Sequence, residues 1–287
     1  MAFLPRPMFR WQTRTRTLAL GERTLLMGIV NLTPDSFSGD GLSAQGLDAA
    51  VAHALQQLDA GADILDLGAE STRPNAQPIS AEQEQQRLLP ALAAILRERP
   101  EAVLSIDTYH ASTALAAAEL GAEIINDVSG LTWDERMASA VTATRCGLVL
   151  MHTRGRPTEW AALPSLQPRK VPPVVVEGLA HQLGLARTAG IAEEKIVLDP
   201  GFGFGKRGDE NFALLAGLGE LQRLHFPLLI GLSRKGFLGG ASAAERLPAT
   251  IAANVAAVLN GAHILRVHDV REAREAAAIA DAVSQAV

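Results

Sequence analysis

The sequence predicts a single α/β domain folded as a (β/α)8 TIM barrel with a short N-terminal β-hairpin. Three observations carry that expectation. Eight short runs rich in β-branched residues and Leu recur along the chain, and each is nearly continuous in apolar residues. Ala/Leu/Glu/Gln-rich stretches long enough for a crossover helix separate them. Strands apolar on both faces and joined by helices form parallel sheets covered on their outer side. Eight such units close a barrel. A doubly wound open sheet is the alternative that the alternation leaves standing.

Taken in order, the runs are LLMGIVN from Leu25, DILDLG from Asp63, AVLSID from Ala102, EIIND from Glu123, GLVLMH from Gly147, KIVLDP from Lys195, LLIGLS from Leu228 and HILRVH from His263. Ahead of the first, TLALGERTLL reads as a hairpin placed to plug the barrel bottom. Residues 1–16 then form an N-terminal extension and 17–287 one barrel domain. Two connections exceed what a barrel requires: GAESTRPNAQPIS after the second run and TRGRPTEWAALPSLQPRKVPP after the fifth. Their Gly and Pro content makes both irregular, and long loops on a compact barrel tend to carry function.

Composition narrows the function. At 287 residues, 48% apolar, 20% charged and a net charge of −5, the chain is a globular protein without a basic footprint for nucleic acid. One cysteine, Cys146, forms no intrachain disulfide, and no Cys/His cluster has zinc spacing. A reducing, cytoplasmic setting is expected. No apolar core follows the basic N-terminus as a signal peptide needs, and Asn254, Asn260 and His263 interrupt the least polar run, so no membrane span is expected.

Each run closes on polar side chains: Asn31, Glu70 to Arg73, Asp107, Asn126 and Asp127, His152, Asp199, Ser233 to Lys235, and Arg266 with His268. In a barrel all these ends open on one face, where active sites of this fold are built. Strands also end in polar residues simply because they end at water. That explains Asn or Ser better than ionisable groups abutting buried sequence, which lose hydration unless they meet partners or a ligand.

Asp107, Asn126, Asp199 and Lys235 make a wall of acceptors with a few donors. It suits a flat, amidine-bearing heterocycle such as a pterin or guanine edge, each charge-assisted bond contributing roughly 1.5–3 kcal/mol. An internal Asp–Lys ion-pair network is the competing account. Asn31, Thr72, Arg266 and His268 form a second group suited to phosphate or diphosphate. There, Asn31 is also a candidate oxygen donor to Mg²⁺ held mainly by phosphate and water. For Arg266 the competing account is an ion pair with Asp269 or Glu272. GFGFGK, residues 201–206, is not a P-loop, since Arg207 stands where Ser or Thr belongs and the spacing differs. It reads as a lip after Asp199, with Phe204 offering an apolar face. Met27 and Met151 read as core, Cys146 as an inert buried thiol, and His53, His110, His181 and His225 as surface or helix residues. Trp11, Trp133 and Trp160 have no evident cofactor role.

Together MGIVNLTPDSFSGDG, DILDLGAESTRP, SIDTYH, INDVSG, VLDPGFGFGK, GLSRKGFLG and ILRVHDV, running in order from Met27 to Asp269, resemble the dihydropteroate synthases, a family of pterin-binding TIM barrels. The resemblance implies folate biosynthesis: p-aminobenzoate displaces diphosphate from 6-hydroxymethyl-7,8-dihydropterin diphosphate to give 7,8-dihydropteroate. It places Asp107, Asn126, Asp199 and Lys235 on the pterin, and Thr72, Arg266 and His268 on the diphosphate, with Asn31 on Mg²⁺. Phe37, Arg73, Pro74, Phe204 and Ser233 fall on the p-aminobenzoate side, joined there by Lys235. It further implies an SN1-like reaction in which diphosphate departs first. Lys235, Arg266 and His268 then assist departure, and Asp35, on a closing loop, steadies the cation. A homodimer through outer helices and a sulfonamide target are implied, though nothing in the sequence speaks to drug resistance. The family's Met-His-Met-x-Gly-x-Pro reads MHTRGRP here, Gly236 stands where Ser is frequent, and His110 where Lys or Arg is common. Two other readings share the pterin wall: a methyltetrahydrofolate–corrinoid methyltransferase, which needs no diphosphate clamp, and a non-catalytic pterin-binding paralogue.

Overall fold

Residues 6–32, 44–70 and 78–286 are described by the computed structural model. Strand β1 (Phe9–Gln12) pairs antiparallel with β2 (Thr17–Leu20). The barrel strands follow: β3 (Leu25–Asn31), β4 (Ile64–Gly68), β5 (Leu104–Asp107), β6 (Ile124–Asp127), β7 (Gly147–Met151), β8 (Ile196–Asp199), β9 (Leu229–Ile230) and β10 (Ile264–Val267). All pair in parallel in the order β8-β7-β6-β5-β4-β3-β10-β9, and a parallel bridge between Leu198 and Leu228 brings the two ends together. Helices α1 (Ala44–Asp59), α2 (Ala81–Glu98), α3 (Ala111–Leu120), α4 (Met137–Thr144), α5 (Val171–Thr188), α6 (Asp209–Ala216), α7 (Leu247–Leu259) and α8 (Val270–Gln285) alternate with them. Local chemistry sets their limits. Ser80 and Gln83 form a reciprocal capping box at the start of α2, and Gly121 takes the left-handed φ of 113° that ends α3.

Side chains alternate along a strand, so one parity faces the helices and the other the barrel axis. Leu65, Leu104, Ile125, Leu148, Leu198 and Leu265 join the outer core beneath the helices. Met27, Ile64, Ile124, Val149, Val197, Leu229 and Ile264 from seven of the barrel strands, and Val103 immediately before β5, form the lower inner layer with Trp11 and Leu20. Trp11 is 1% exposed, and its Nε1 donates to the Lys195 carbonyl at 2.8 Å, which fixes the indole as the plug of the N-terminal end.

The hairpin lies one strand earlier than its expected place at TLALGERTLL. Its turn is Thr13–Arg16, closed by Thr13 N donating to Arg16 O at 2.9 Å. That turn is anchored by Glu123, which accepts from Thr13 Oγ1 at 2.6 Å and Thr15 N at 2.9 Å. The GER segment is instead the link into β3. A boundary at residue 16 therefore divides the hairpin, and residues 9–16 belong with the barrel. Replacing the plug, Trp11→Ala, is expected to cost about 3–5 kcal/mol and lower the melting temperature by about 10 °C. Thermal unfolding followed by circular dichroism checks this, and an unchanged midpoint would show that the plug carries no stability.

Candidate active site

Two residues beyond the inner apolar layer, the same parity delivers Asp66, Ser105, Asn126, Met151, Asp199 and Arg266 to the barrel axis. Two further, at the C-terminal mouth, come Asn31, Asp107 and His268. The long-range contacts follow this layering. Arg266 Nε donates to Asp66 Oδ2 at 2.6 Å, and its Nη2 to Asp107 Oδ2 at 2.6 Å. Asn126 Nδ2 donates to the same Asp66 oxygen at 2.9 Å. Asp66 is wholly buried. Nothing in the sequence reading singled it out, although a carboxylate inside the buried run DILDLG was a visible signal.

Asp107 and Asn126, two members of the wall expected for a heterocycle, are thus joined through Asp66 and Arg266. Its guanidinium is committed to Asp66 and Asp107, while Asp269 accepts from Arg234 Nε at 3.0 Å and Nη2 at 2.5 Å. The competing account, an ion pair of Arg266 with Asp269 or Glu272, gives way to one with two carboxylates far off in sequence. Burial works against the Arg266 charge, yet Asp66 and Asp107 outweigh it and hold its pKa above the usual value. Burial pushes Asp107 up to about 7, with Arg266 opposing. Asp199 is also raised by burial, while the Gly201 N–H at 2.7 Å on Oδ1 and the nearby Lys235 favour its ionised form.

Lys235 donates to the Phe202 carbonyl, and its Nζ lies 4.6 Å from the centre of the Phe204 ring. Burial lowers its pKa to about 8. The residue before it, Arg234, holds a left-handed φ of 57°, and its bonds to Asp269 and to Thr250 Oγ1 (3.1 Å, from the backbone N) sustain that turn. Ser233, placed by resemblance on the p-aminobenzoate side, bonds His268: its Oγ accepts from His268 N at 3.2 Å and lies 3.0 Å from Nδ1. Ser233 thus orients the imidazole assigned to the diphosphate.

Lys206, the last residue of GFGFGK, is buried and donates to the carbonyls of Gly201 at 2.7 Å, Phe204 at 3.3 Å and His152 at 3.4 Å. It braces the glycine lip, and burial brings its pKa down to about 7. The sequence reading missed this role. Asp127 and His152 end strands with the outward parity and leave the site. Asp127 caps its own loop by accepting from Ser129 N and Leu131 N, and the His152 ring packs on Gly178 of α5. Met27, Met151 and Cys146 are core, and burial raises the thiol to about 11. Asp35, Phe37, Thr72, Arg73 and Pro74 lie outside the described residues.

Fold and mouth together define a (β/α)8 barrel with a layer of acid and amide side chains at the C-terminal ends of its strands. The chain belongs to the pterin binding enzyme family, whose model matches residues 27–268. It is 42% identical over 264 residues to a dihydropteroate synthase of Escherichia coli strain K12, covering 91% of this chain and 92% of that protein. Two solved structures superpose closely. The Xanthomonas albilineans dihydropteroate synthase with 4-aminobenzoic acid gives a TM-score of 0.88 at 38% identity, over 98% of this chain and 100% of that one. The Yersinia pestis dihydropteroate synthase in a sulfonamide drug complex gives 0.88 at 38%, over 96% and 100%.

Proposed function

We propose that this chain is a dihydropteroate synthase: it condenses p-aminobenzoate with 6-hydroxymethyl-7,8-dihydropterin diphosphate, releasing diphosphate and giving 7,8-dihydropteroate for folate biosynthesis. The observation that carries the reading is the buried layer of Asp66, Asn126 and Asp199 beneath a half-buried Asp107, closed by Lys235 over Phe204, in a chain so similar to enzymes of that name.

The pterin's amidine edge donates to Asp199 and Asp107, and Asn126 and Lys235 complete the cradle. The methylene carbon then faces the anion side, where His268, steadied by Ser233, meets the departing oxygens and Arg266, held by Asp66 and Asp107, adds its positive charge from the wall behind. As the C–O bond breaks, its electron pair leaves on diphosphate and positive charge develops at the methylene. Fixed positive groups beside the leaving oxygens lower that barrier. The aniline lone pair forms the new C–N bond, and the surplus proton passes to water. An aromatic amine of low basicity needs no strong base, and none is assigned. Phe204 and Lys235 supply the ring face and cation for p-aminobenzoate. Asp35, Phe37, Thr72, Arg73 and Pro74, which lie outside the described residues, complete the proposed site.

Asn31 suits Mg²⁺. It closes β3 at the mouth, half-buried, and among the described residues no group of three or more His, Cys, Asp or Glu competes to hold a cation. One amide oxygen with phosphate and water is a donor set magnesium accepts. Bound there, the ion would neutralise charge on the diphosphate. A homodimer is proposed through outer helices, supported by exposed Ile279 and Val283 one turn apart on α8. Among the described residues no helix is long and apolar enough to cross a membrane, which accords with the proposed cytoplasmic setting. Sulfonamides, as p-aminobenzoate mimics, are proposed inhibitors.

The test is diphosphate release from the dihydropterin diphosphate, with and without p-aminobenzoate and Mg²⁺. Release matched by dihydropteroate and dependent on both additions is expected. Absence of release, or release at one rate with or without the amine, would defeat the reading.

A further inference from the structure

Two arginines that the proposed chemistry does not use stitch the loop after β7 to the loop after β8. Arg154 donates from Nη1 to the Gly205 carbonyl at 3.0 Å and from Nη2 to the Pro164 carbonyl at 2.9 Å, with Glu210 at 3.7 Å. Arg207 Nη2 donates to the carbonyls of Trp160, Ala161 and Leu163 at 2.7, 3.1 and 2.6 Å. Glu210 fastens the same seam, accepting from Leu166 N at 2.7 Å and Arg207 N at 3.0 Å. The approach is close, since a Cβ at Gly205 would lie 2.6 Å from Arg154 Cβ.

Phe204 hangs from this seam. Its carbonyl accepts from Arg154 N at 3.4 Å, and its ring meets Trp160 edge-to-face at 5.3 Å while Lys235 Nζ lies 4.6 Å from its centre. The flanking Gly203 and Gly205 sit at φ 80° and 71°; Gly203 N donates to Asn211 Oδ1 at 2.7 Å, Phe204 N to the Gly201 carbonyl at 3.2 Å and Lys206 Nζ to the Phe204 carbonyl at 3.3 Å, so the ring is held from the β8 side and Arg154 supplies the hold from the β7 side. The Arg154 side chain is 12% exposed, where hydrogen bonds to carbonyls are stronger than at the surface. A planar guanidinium spans two carbonyls that an ammonium cannot hold together in the same way.

We propose that Arg154 is a positioning residue: by pinning the Gly205 and Pro164 carbonyls it holds the Phe204 ring between Trp160 and Lys235, and so sets the aromatic-amine side of the site. The assignment of that side to p-aminobenzoate rests on the proposed function. On the pterin side Asp199 is anchored by the Gly201 N–H and Asp66, Asp107 and Asn126 by Arg266, while Lys235, which serves both sides, keeps its own bond to the Phe202 carbonyl. The effect is therefore selective for one substrate.

The test compares Arg154→Met, Arg154→Lys and Trp160→Leu with the parent full-length chain. In Arg154→Met the KM for p-aminobenzoate is expected to rise about 10-fold while the KM for the pterin diphosphate stays within about 2-fold. Arg154→Lys, keeping one of two bonds, should fall between, and Trp160→Leu should reproduce the split by freeing the other edge of the ring. Amide exchange at residues 203–205 should quicken in Arg154→Met. Unchanged exchange, an unchanged KM for p-aminobenzoate, or equal rises for both substrates would overturn the proposal. A parent chain that releases no diphosphate overturns the reaction reading and with it the substrate assigned to this wall, whereas exchange still reports on the clamp.

Discussion

Asp199→Asn is expected to weaken binding of the dihydropterin diphosphate by about 100- to 1,000-fold. The carboxylate ends β8 on the inward parity, almost fully buried, with one oxygen committed to the Gly201 N–H. An amidine edge reaching it from the mouth would find an anion already oriented by Gly201 and balanced by Lys235. Asn keeps the shape and an oxygen for Gly201, but it removes the charge and turns an NH₂ donor toward ligand donors. Degrading two charge-assisted bonds at roughly 1.5–3 kcal/mol each yields that range once the remaining oxygen retains part of the interaction. Because the Gly201 bond survives, the melting temperature should move little. Calorimetry on the purified variant decides the matter, and a Kd within about 3-fold of the parent would remove Asp199 from the pterin cradle.

The position of that carboxylate was legible in the sequence; its company was not. VLDPG ends an apolar run in an acid, and so do SID and IND, so the polar rim of the mouth could be read strand by strand. Parity could not be read from runs that bury both faces, because Leu and Ile occupy inward and outward positions alike. Asp127 and His152 accordingly stand in the same polar rim as Asn126 and Asp199 yet take the outward parity. Asp66 was hidden by the same continuity, two residues above Ile64 on the inner face. Arg266 finds its partners 200 and 159 residues away in the chain, a distance over which no local spacing carries information. The nearer Asp269 was the natural guess, and Arg234 takes it. The displaced hairpin has a similar cause. GER has the glycine of a turn, whereas the true turn, TRTR, has none and is held by Glu123 from the far side of the barrel bottom.

Arg266→Met should alter the pH dependence of pterin binding as well as stability, and the signs separate the contributions. In the parent, burial sets Asp107 near 7 against an ordinary value of 3.8, with Asp66, Glu84 and Glu70 raising it further and Arg266 lowering it. Between those values the folded chain holds a proton that the unfolded chain has released. Stability therefore falls as pH rises from about 4 through 7, and the penalty is complete above 7. Ligand binding runs the other way, because N–H donors require the ionised carboxylate; pterin affinity should rise as pH increases through about 7. Removing Arg266 takes away the charge opposing burial, so the midpoint must move to higher pH. It also leaves Asp66, fully buried, with the Asn126 amide as its remaining side-chain hydrogen-bond donor among the described residues. The loss of such a cation is worth roughly 3–5 kcal/mol, eased where Asp107 takes up a proton. Titration calorimetry across about pH 5.5 to 8.5, with melting curves alongside, measures both. A midpoint that stays put or moves down would mean that Arg266 does not govern the ionisation of Asp107. The acid layer would then have to meet its ligand by some other balance of charge.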